Sequence, residues 1–280
     1  MRALRKNFAR LGQTLSGYTA KMTFCALASG SSGNAAYIGF GGKHFLVDAG
    51  LSGKRIVSAL GKIGVDRLHG IFVTHEHIDH IAGVGVLARR FGLDVFATPL
   101  TWRHLIRHDK IGPISAGQKK AIEPGQAIHI GDAKILAFGV PHDASDAVGY
   151  SFMRNGVKIA IATDLGQKTE TVINEMKGSR LILLESNHDP EMLKKGRYPQ
   201  ELKKRVAGGR GHLSNAAAGM LLAEVVVPNY TYVYLAHLSE ENNTPMLAHD
   251  TVGRILDANG VKPAGLAIAD RYVPGEKVEL

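Results

Sequence analysis

Thr74-His75-Glu76-His77-Ile78-Asp79-His80 is the stretch around which this sequence is organised. It follows the apolar run Ile71-Phe72-Val73 and places three histidines and one aspartate within six residues. In an extended segment alternate side chains share a face, so His75 and His77 can point at one ion. If a helix begins near Asp79, the last two ligands turn elsewhere. The stretch therefore predicts ligands for two ions a few ångströms apart, as two-metal hydrolases require.

Composition narrows the class of protein. The chain has 280 residues of which 45% are hydrophobic, as an ordinary globular protein does. Cys25 is its one cysteine, which excludes an internal disulfide and favours a reducing compartment, the cytoplasm. No apolar run is long enough to span a bilayer, so we expect no membrane association. The net charge of +9 fits a polyanionic partner such as DNA without requiring one.

Residues 1–21 differ from the rest of the chain. They carry basic residues, lack acidic ones, and place Leu4, Phe8, Leu11 and Leu15 at helical spacing. An amphipathic targeting or surface-binding helix is one interpretation. We favour a mobile extension, because chain termini are often poorly ordered. A single domain is then predicted over residues 22–280.

From Met22 onward, short strands and glycine turns give way to apolar runs that alternate with amphipathic helices. The predicted helices cover 53–63, 81–91, 101–108, 169–176, 215–226 and 246–259. The predicted strands cover 24–28, 35–39, 44–47, 71–73, 95–97, 127–130, 134–140, 148–154, 158–162, 181–184, 232–236 and 264–267. The Gly30–Asn34 loop lacks the lysine and spacing of a phosphate-binding loop, which favours a plain hairpin turn. The pattern predicts a mixed α/β chain with two layers of strands.

Six apolar runs each end in a metal-ligand or acid-base side chain. These side chains are Asp48, His75, His142, Asp164, Glu185 and His237. Functional residues collect at strand ends, because the buried strand fixes the backbone while the loop is free to vary. We therefore expect the six to share one edge. Imidazole and carboxylate ligands without thiolate suit zinc, manganese or iron.

The motif His75-x-His77-x-Asp79-His80, followed in order by the other ligands, resembles the signature of the metallo-β-lactamase-fold hydrolases. That resemblance implies an α/β fold, a four-layer αββα sandwich with a two-metal site at one edge of its sheets. It assigns His75, His77 and His142 to one ion, Asp79, His80 and His237 to the second, and Asp164 as the bridge between them. Asp48 is then expected to orient histidine ligands by hydrogen bonding. Asp164, where β-lactamases of this fold often have cysteine, disfavours antibiotic hydrolysis.

Five further motifs resemble the bacterial YycJ/WalJ subfamily, whose members are regarded as DNA exonucleases acting 5′ to 3′. The motifs are Ala28 to Asn34, Leu46 to Ser52, Glu185 to Asp189, Gly211 to Asn215 and Ala236 to Asn243. The resemblance implies phosphodiester hydrolysis by a hydroxide held between two divalent ions, Zn²⁺ or Mn²⁺. Asp79 or Asp164 is expected to accept the proton of the nucleophile, and His212 to donate one to the leaving oxygen or bind the phosphate. Glu185 and His188 are expected to steady His212 or to line the cleft.

A cluster of cations precedes the Gly211 motif. It comprises Lys194, Lys195, Arg197, Lys203, Lys204, Arg205 and Arg210, with Glu201 as the opposing charge. A solvated surface is one interpretation. The other is a track for the phosphate backbone of DNA beside the active site.

Two other functions compete with the nuclease. Hydrolysis of a small thioester or lactone on the same metal centre is the first, and the basic surface disfavours it. A non-catalytic, metal-binding regulatory module is the second, and the complete ligand set disfavours it.

Overall fold

The computed structural model describes residues 21–280. The predicted mobile extension over residues 1–21 therefore lies outside the described residues, apart from Lys21. Within the described part of the chain, two seven-stranded sheets pack face to face. The first sheet contains β1 (Met22–Ala28), β2 (Ala35–Phe40), β3 (Lys43–Val47), β4 (Gly70–Phe72), β5 (Asp94–Ala97), β6 (Lys119–Ala121) and β14 (Val278–Glu279). The second contains β7 (Ala127–Ile130), β8 (Ala133–Gly139), β9 (Val148–Arg154), β10 (Val157–Ala162), β11 (Leu181–Glu185), β12 (Tyr232–Ala236) and β13 (Gly265–Ile268).

Helices cover the outer face of each sheet. The α-helices of residues 21–280 are α1 (Gly53–Lys62), α2 (Ile78–Ile81), α3 (Val84–Phe91), α4 (Pro99–Leu105), α5 (Glu170–Met176), α6 (Pro190–Lys195), α7 (Gln200–Ala207), α8 (Asn215–Val225) and α9 (Pro245–Ala258). Helices α1, α3 and α4 pack on the first sheet, and α5, α8 and α9 pack on the second. This is the four-layer αββα sandwich that the motif order predicts.

The two-residue repeat of a strand explains why the sheets need cover on both faces. In β3, Phe45 and Val47 point into the core between the sheets, and Leu46 points outward to the helices of the first sheet. In β11, Leu183 points inward and Leu184 outward, with both side chains buried. Strands that are apolar on both faces read as continuous apolar runs, which is how they appear in the sequence.

Strand direction brings the ends of these runs to one edge. Strands β3, β4, β5 and β6 are parallel in the first sheet, as are β10, β11, β12 and β13 in the second. Strand β8 runs antiparallel to β9, and β9 runs antiparallel to β10, so β8 also points toward that edge. The carboxyl ends of all six predicted strands therefore meet there.

Several element boundaries differ from the predicted ones. The predicted helix over 81–91 is divided at Gly83, where a Cβ would lie 2.4 Å from the carbonyl oxygen of Leu51. Helix α4 begins at Pro99 because Thr98 caps it, its hydroxyl accepting the N–H of Thr101, and the helix ends at Leu105 rather than at His108. Helices α6 and α7 were not predicted, because they bury little apolar surface and show no helical periodicity. Strands β6 and β14 are too short to leave a pattern.

Cys25 is a fully buried residue of β1. Burial raises the pKa of its thiol to about 12, and the Sγ lies 3.2 Å from the carbonyl oxygen of Gly275. A thiol in this environment is a small packing residue and not a nucleophile.

None of the helices in residues 21–280 has the length and apolar character needed to cross a bilayer.

Candidate metal centre

Three of the six strand-end turns hold a predicted site residue in an unusual backbone conformation. Asp48, Asp164 and His237 have φ angles of 61°, 56° and 54°, in the left-handed region that few non-glycine residues adopt. Each of the three comes directly after a buried strand or one residue beyond it. Strained residues of this kind persist where surrounding structure holds them, and they collect at functional sites.

Three histidines form the first donor group. Nε2 of His75 lies 3.1 Å from Nδ1 of His77, which in turn lies 3.3 Å from Nε2 of His142. His75 and His77 precede α2 in an extended segment, so they share a face as predicted. His142 reaches them from the loop after β8 in the other sheet.

Asp79, His80 and His237 form the second donor group. Oδ2 of Asp79 lies 3.5 Å from Nε2 of His80 and 3.5 Å from Nε2 of His237. Helix α2 begins at Ile78, and this helical turn directs Asp79 toward His237, while the ring of His80 stays beside that of His75, with ring centroids 4.2 Å apart. The sequence predicts two ligand groups if a helix begins near Asp79, and α2 begins at Ile78.

Asp164 lies between the two groups. Its Oδ2 is 3.1 Å from Nε2 of His80, and its Oδ1 is 3.7 Å from Nε2 of His142. Oδ2 is buried and accepts no hydrogen bond of normal geometry within the described residues. Converging ring nitrogens and a bare carboxylate oxygen repel one another unless a cation lies among them, so this donor set fits divalent ions.

Burial and charge separate the two groups electrostatically. Burial lowers the pKa of His75 well below 6.5 and also lowers that of His142, which favours the neutral, ion-binding form of these two rings. In the second group, burial lowers the pKa of His237, but Asp164, Asp79 and Glu185 outweigh it and raise the pKa to about 10. Burial raises the pKa of Asp79, and the neighbouring histidines reverse this and hold it below 3.8. An ion entering the second group therefore displaces a proton.

Hydrogen bonds on the far side of the rings select the ligating nitrogens. Asp48 accepts the backbone N–H and the hydroxyl of Thr74, each at 2.8 Å, and Nδ1–H of His80 at 2.7 Å. Because the Thr74 hydroxyl donates to Asp48, its oxygen accepts Nδ1–H of His75 at 3.0 Å. Burial lowers the pKa of His80, but Asp164, Asp48 and Asp79 outweigh it and raise the pKa well above 6.5, so its Nε2 carries a proton until an ion displaces it. In the neutral ring that binds an ion, each of the two histidines presents the lone pair on Nε2. The hydrogen bonds of Asp48 to Thr74 and His80 are the ones that it needs for the role predicted for it, the orientation of histidine ligands.

Glu185 joins His212 to the second group. Its Oε1 accepts Nδ1–H of His212 and Nδ1–H of His237, both at 2.8 Å, and its Oε2 accepts the backbone N–H of Leu165 and of Leu213. Burial lowers the pKa of His212, but Glu185 outweighs it and raises the pKa above 6.5. The side chain of His212 is 21% exposed, so it faces the cleft while the other partners are buried. An imidazole whose protonated form Glu185 favours is thus held beside the donor groups.

The loop that carries His142 is fastened to the basic cluster. Nδ1 of His142 donates to the carbonyl oxygen of Gly211 at 3.2 Å, and Nε of Arg210 donates to the carbonyl oxygen of His142 at 3.0 Å. Arg205 pairs with Asp143, the residue after His142. Two of the predicted DNA-binding cations are therefore engaged in positioning a candidate ligand.

The other predicted cations line helices α6, α7 and the turn between them. Lys194, Lys195, Arg197 and Lys204 are exposed, and Lys203 donates to the carbonyl oxygen of Lys194. Lys195 and Lys204 pair with glutamates of their own helices, Glu191 and Glu201. Exposed pairs of this type are weak and leave the cations available to an anionic partner.

His188 is buried and lies outside the donor groups. Its backbone forms a bridge to Ser214, and its carbonyl oxygen accepts the N–H of Asn215. Burial lowers the pKa of its ring, and Nδ1 has no hydrogen-bond partner among the described residues. His188 joins the Glu185 loop to the His212 loop through its backbone.

Two residues at the rim of the site give no individual signal in the sequence. Oε1 of Glu76 accepts the backbone N–H of Ser145 at 2.8 Å, and the Ser145 hydroxyl lies 2.8 Å from Nε2 of His104. These contacts of Glu76 and Ser145 tie the His142 loop to the motif segment and to α4.

Asn34 is the second residue without an individual sequence signal, and it is buried beside the second donor group. Its Nδ2 lies 3.0 Å from Nε2 of His80. Asn34 belongs to a motif that resembles the subfamily, and that membership is the available sequence signal.

Comparison with known proteins agrees with this geometry. Residues 43–233 match the beta-lactamase superfamily domain. Exodeoxyribonuclease YycJ of Bacillus anthracis is 41% identical over 239 residues, which are 85% of this chain and 90% of that protein. Exodeoxyribonuclease WalJ of Streptococcus pneumoniae serotype 2 is 40% identical over 231 residues, covering 82% of this chain and 86% of that protein.

A solved structure shares the fold over almost the whole described chain. The metallo-beta-lactamase fold protein YhfI from Bacillus subtilis aligns with a TM-score of 0.66 and 18% identity, covering 93% of this chain and 100% of that one. This fold implies divalent metal binding, and the two donor groups offer the ligands for it. The chain belongs to the beta-lactamase superfamily with the metallo-β-lactamase fold and, within it, to the YycJ/WalJ family.

Proposed function

We propose that this protein is a metal-dependent exodeoxyribonuclease that hydrolyses phosphodiester bonds of DNA in the 5′ to 3′ direction with two divalent ions, Zn²⁺ or Mn²⁺. The observation that carries the proposal is the pair of donor groups joined by Asp164, with the imidazole of His212 beside them. The YycJ and WalJ relatives, similar over most of their length, are exodeoxyribonucleases by name. A DNA substrate and a protein with a single, buried cysteine favour the cytoplasm.

The donor groups suit hydrolysis at phosphorus. His75, His77 and His142 hold one ion in this proposal, and Asp79, His80 and His237 hold the other, with Asp164 shared between them. Divalent ions held by these residues would supply a lowered pKa of bound water and positive charge beside the phosphate oxygens. Asp79 or Asp164 accepts the proton released by the attacking water, since both carboxylates stay ionised at neutral pH.

His212 supplies the proton to the leaving oxygen. Glu185 binds its Nδ1–H at 2.8 Å, which leaves the second ring nitrogen for the substrate. The raised pKa of His212 favours the protonated ring, the form that a general acid requires. The exposed cations of α6 and α7 attract the phosphate backbone beside this group.

Cleavage of end-labelled DNA tests the proposal directly. Metal-stripped protein is incubated with Zn²⁺, Mn²⁺ or Mg²⁺ and with single- or double-stranded DNA or RNA that carries or lacks a 5′ phosphate. We expect mononucleotides or short products released progressively from the 5′ end of DNA. His77→Ala and Asp164→Ala should lose bound metal and cleavage together. His212→Ala should keep its metal and lose turnover by a factor of about 10² to 10⁴.

Three results would contradict the proposal. Full-rate cleavage by His212→Ala would remove the general-acid role. Cleavage of a chromogenic thioester or lactone without cleavage of DNA would identify a small-molecule hydrolase. Stoichiometric metal binding without any hydrolysis would favour a regulatory module.

A further inference from the structure

The carboxylate of Asp79 is hydrogen-bonded by a side-chain amide, whereas the histidine ligands are hydrogen-bonded by hydroxyl, carboxylate or carbonyl oxygens. Thr74, Asp48, Gly211 and Glu185 bind the far sides of histidine rings. The carboxylate of Asp79 is approached instead by the side-chain amide of Asn34. Nδ2 of Asn34 lies 3.4 Å from Oδ2 of Asp79 and 3.0 Å from Nε2 of His80. Asn34 is 5% exposed and immediately precedes β2, whose first residues lie at the same edge as the donor groups.

The orientation of this amide follows from its other contacts. Oδ1 of Asn34 accepts the backbone N–H of Gly30 at 2.9 Å. An amide nitrogen cannot accept that hydrogen bond, so Nδ2 must be the atom that faces the donor group. Both hydrogens of the amide are therefore directed toward ligand atoms of the second group and the backbone of Asp79.

The backbone of Asn34 is tied to the same segment. Its N–H donates to the carbonyl oxygen of Asp79 at 2.8 Å, and its carbonyl oxygen accepts the N–H of Gly50 at 2.8 Å. Gly50 packs so closely that a Cβ there would lie 1.6 Å from the carbonyl oxygen of Asp79. Loops 30–34, 48–50 and 79–80 thus form one tight contact. The backbone of Asn34 is therefore fixed beside the donor group.

The two contacts of the amide suit an ion-binding site. A donor 3.0 Å from Nε2 of His80 needs a lone pair on that nitrogen, which is the form in which imidazole binds an ion. Once an ion takes that lone pair, Oδ2 of Asp79 is the side-chain acceptor within reach of Nδ2. Hydrogen bonds to a ligating carboxylate select the lone pair that faces the ion, and their loss typically costs about 10-fold to 100-fold in metal affinity.

We infer that Asn34 is a positioning residue of the second donor group, which holds the Asp79 carboxylate and the Nε2 lone pair of His80 toward the ion by donating N–H bonds. This role rests on the two-ion site of the proposed function, but it does not depend on the substrate. Asn34 touches the ligands and acts on the ion through them.

Titration of metal-stripped protein with Mn²⁺, followed by calorimetry, tests this role. His77→Ala removes a ligand of the first donor group, and His237→Ala removes one of the second. The binding step that each variant loses therefore identifies the group responsible for it. In Asn34→Ala we expect the step of the His75 group to keep its affinity within about twofold, and the step of the Asp79 group to weaken by about 10-fold to 100-fold. DNA cleavage should then need a correspondingly higher Mn²⁺ concentration and recover most of its maximal rate at saturation.

Asn242→Ala is the matched control for losing a buried asparagine. Asn242 is fully buried in the loop after His237, and its Nδ2 contacts Ser239 rather than a ligand. We expect this control to lower the Tm of the chelated protein at least as much as Asn34→Ala does, while both affinities stay unchanged. Equal weakening of the two steps in Asn34→Ala, or the same weakening in the control, would show a merely structural role and overturn the inference.

Unchanged affinities in Asn34→Ala would also overturn it. Wild-type protein that binds two ions but leaves DNA intact would remove the proposed substrate and keep the role of Asn34. Wild-type protein that binds a single ion would contradict both the proposed two-ion function and the role of Asn34.

Discussion

Asp48 shows how much of the site depends on one carboxylate. It accepts two bonds from Thr74 and one from His80, and through Thr74 it also orients His75. It is 3% exposed and adopts a left-handed conformation, so it is held rigidly. Its oxygens accept at every contact, which is why an acid and not an amide suits this position.

Asp48→Asn tests this dependence on acceptors. The backbone N–H of Thr74 still needs an acceptor, so the amide oxygen of the substituted side chain takes the place of Oδ1. The NH₂ group then takes the place of Oδ2 and faces Nδ1 of His80. His80 must then accept at Nδ1 and carry its proton on Nε2, the nitrogen that faces the second group. We expect second-ion affinity to fall by about 10-fold to 100-fold, measured by equilibrium dialysis with elemental analysis. Undiminished binding in a folded variant would show that the ring does not depend on Asp48 for its tautomer.

At the scale of secondary-structure elements, α6 and α7 combine two tasks. Arg205 of α7, and Arg210 in the loop after it, fasten the His142 loop through Asp143 and the carbonyl oxygen of His142. Lys194, Lys195 and Lys204 point to solvent. The two interpretations of the basic cluster therefore apply to different residues. Arg205 and Arg210 have structural contacts. Lys194, Lys195 and Lys204 are exposed, and the weak ion pairs of Lys195 and Lys204 leave these two lysines able to meet a phosphate backbone.

Neutralising exposed lysines of these helices should weaken DNA binding. In Lys194→Gln/Lys204→Gln we expect lower affinity and a shallower slope of log K against log salt, by about 0.7 to 0.9 for each phosphate that the variant no longer neutralises. The matched control is Lys43→Gln/Lys134→Gln, which changes the net charge equally at exposed positions that begin β3 and β8, far from the edge of the site. Fluorescence anisotropy over a salt series measures both. Equal slopes in the two variants would assign the lysines to a solvated surface.

At the scale of the whole molecule, the site joins two sheets. Ligands from the first sheet meet ligands from the second across the edge of the core. Two ions bound there cross-link the sandwich, so binding stabilises the folded chain by mass action. Without ions, Glu185 binds His212 and His237 within the second sheet's part of the site, and contacts of His237 with Asp79 and of His80 with Asp164 join the two sheets.

The stability of chelated protein should therefore depend on pH in two directions. The folded pKa of His237 is about 10 and its ordinary value is 6.5, so its contribution is complete below pH 6.5 and is lost as pH rises toward 10. The folded pKa of Glu185 is about 2 and its ordinary value is 4.5, so its contribution is complete above pH 4.5 and is lost as pH falls toward 2. We expect the Tm in chelator to be highest between these limits.

Saturating Mn²⁺ should change the alkaline side of this profile. The ion takes the place of the proton on His237, and proton competition weakens as pH rises, so the difference in Tm between metal-bound and chelated protein should grow above pH 6.5. Circular dichroism melts in chelator and in Mn²⁺ measure it. A chelated protein that becomes markedly more stable as pH rises above 6.5 would contradict the assignment of the proton to His237.

The sequence by itself determined the ligand types, their order and their placement at strand ends. These are local properties: a run that is apolar on every residue predicts a doubly buried strand, and the polar residue after it predicts a site. The resemblance carried by the His75 to His80 motif extended this to the fold and to the nuclease subfamily, and both agree with the structure and the comparisons. The helices of the basic cluster were missed because their apolar faces are too small to leave a periodic pattern.

Only the tertiary structure decided which atoms of the ligands face one another and what holds them. Asn34 is distant in sequence from Asp79, Glu76 from Ser145, and Asp143 from Arg205, yet each pair is in hydrogen-bond or ion-pair contact. No local pattern encodes such pairs, because they depend on how two sheets and their loops pack. The physical reason is that a strand end fixes where a side chain begins, while its tautomer, orientation and charge depend on neighbours that only folding brings near.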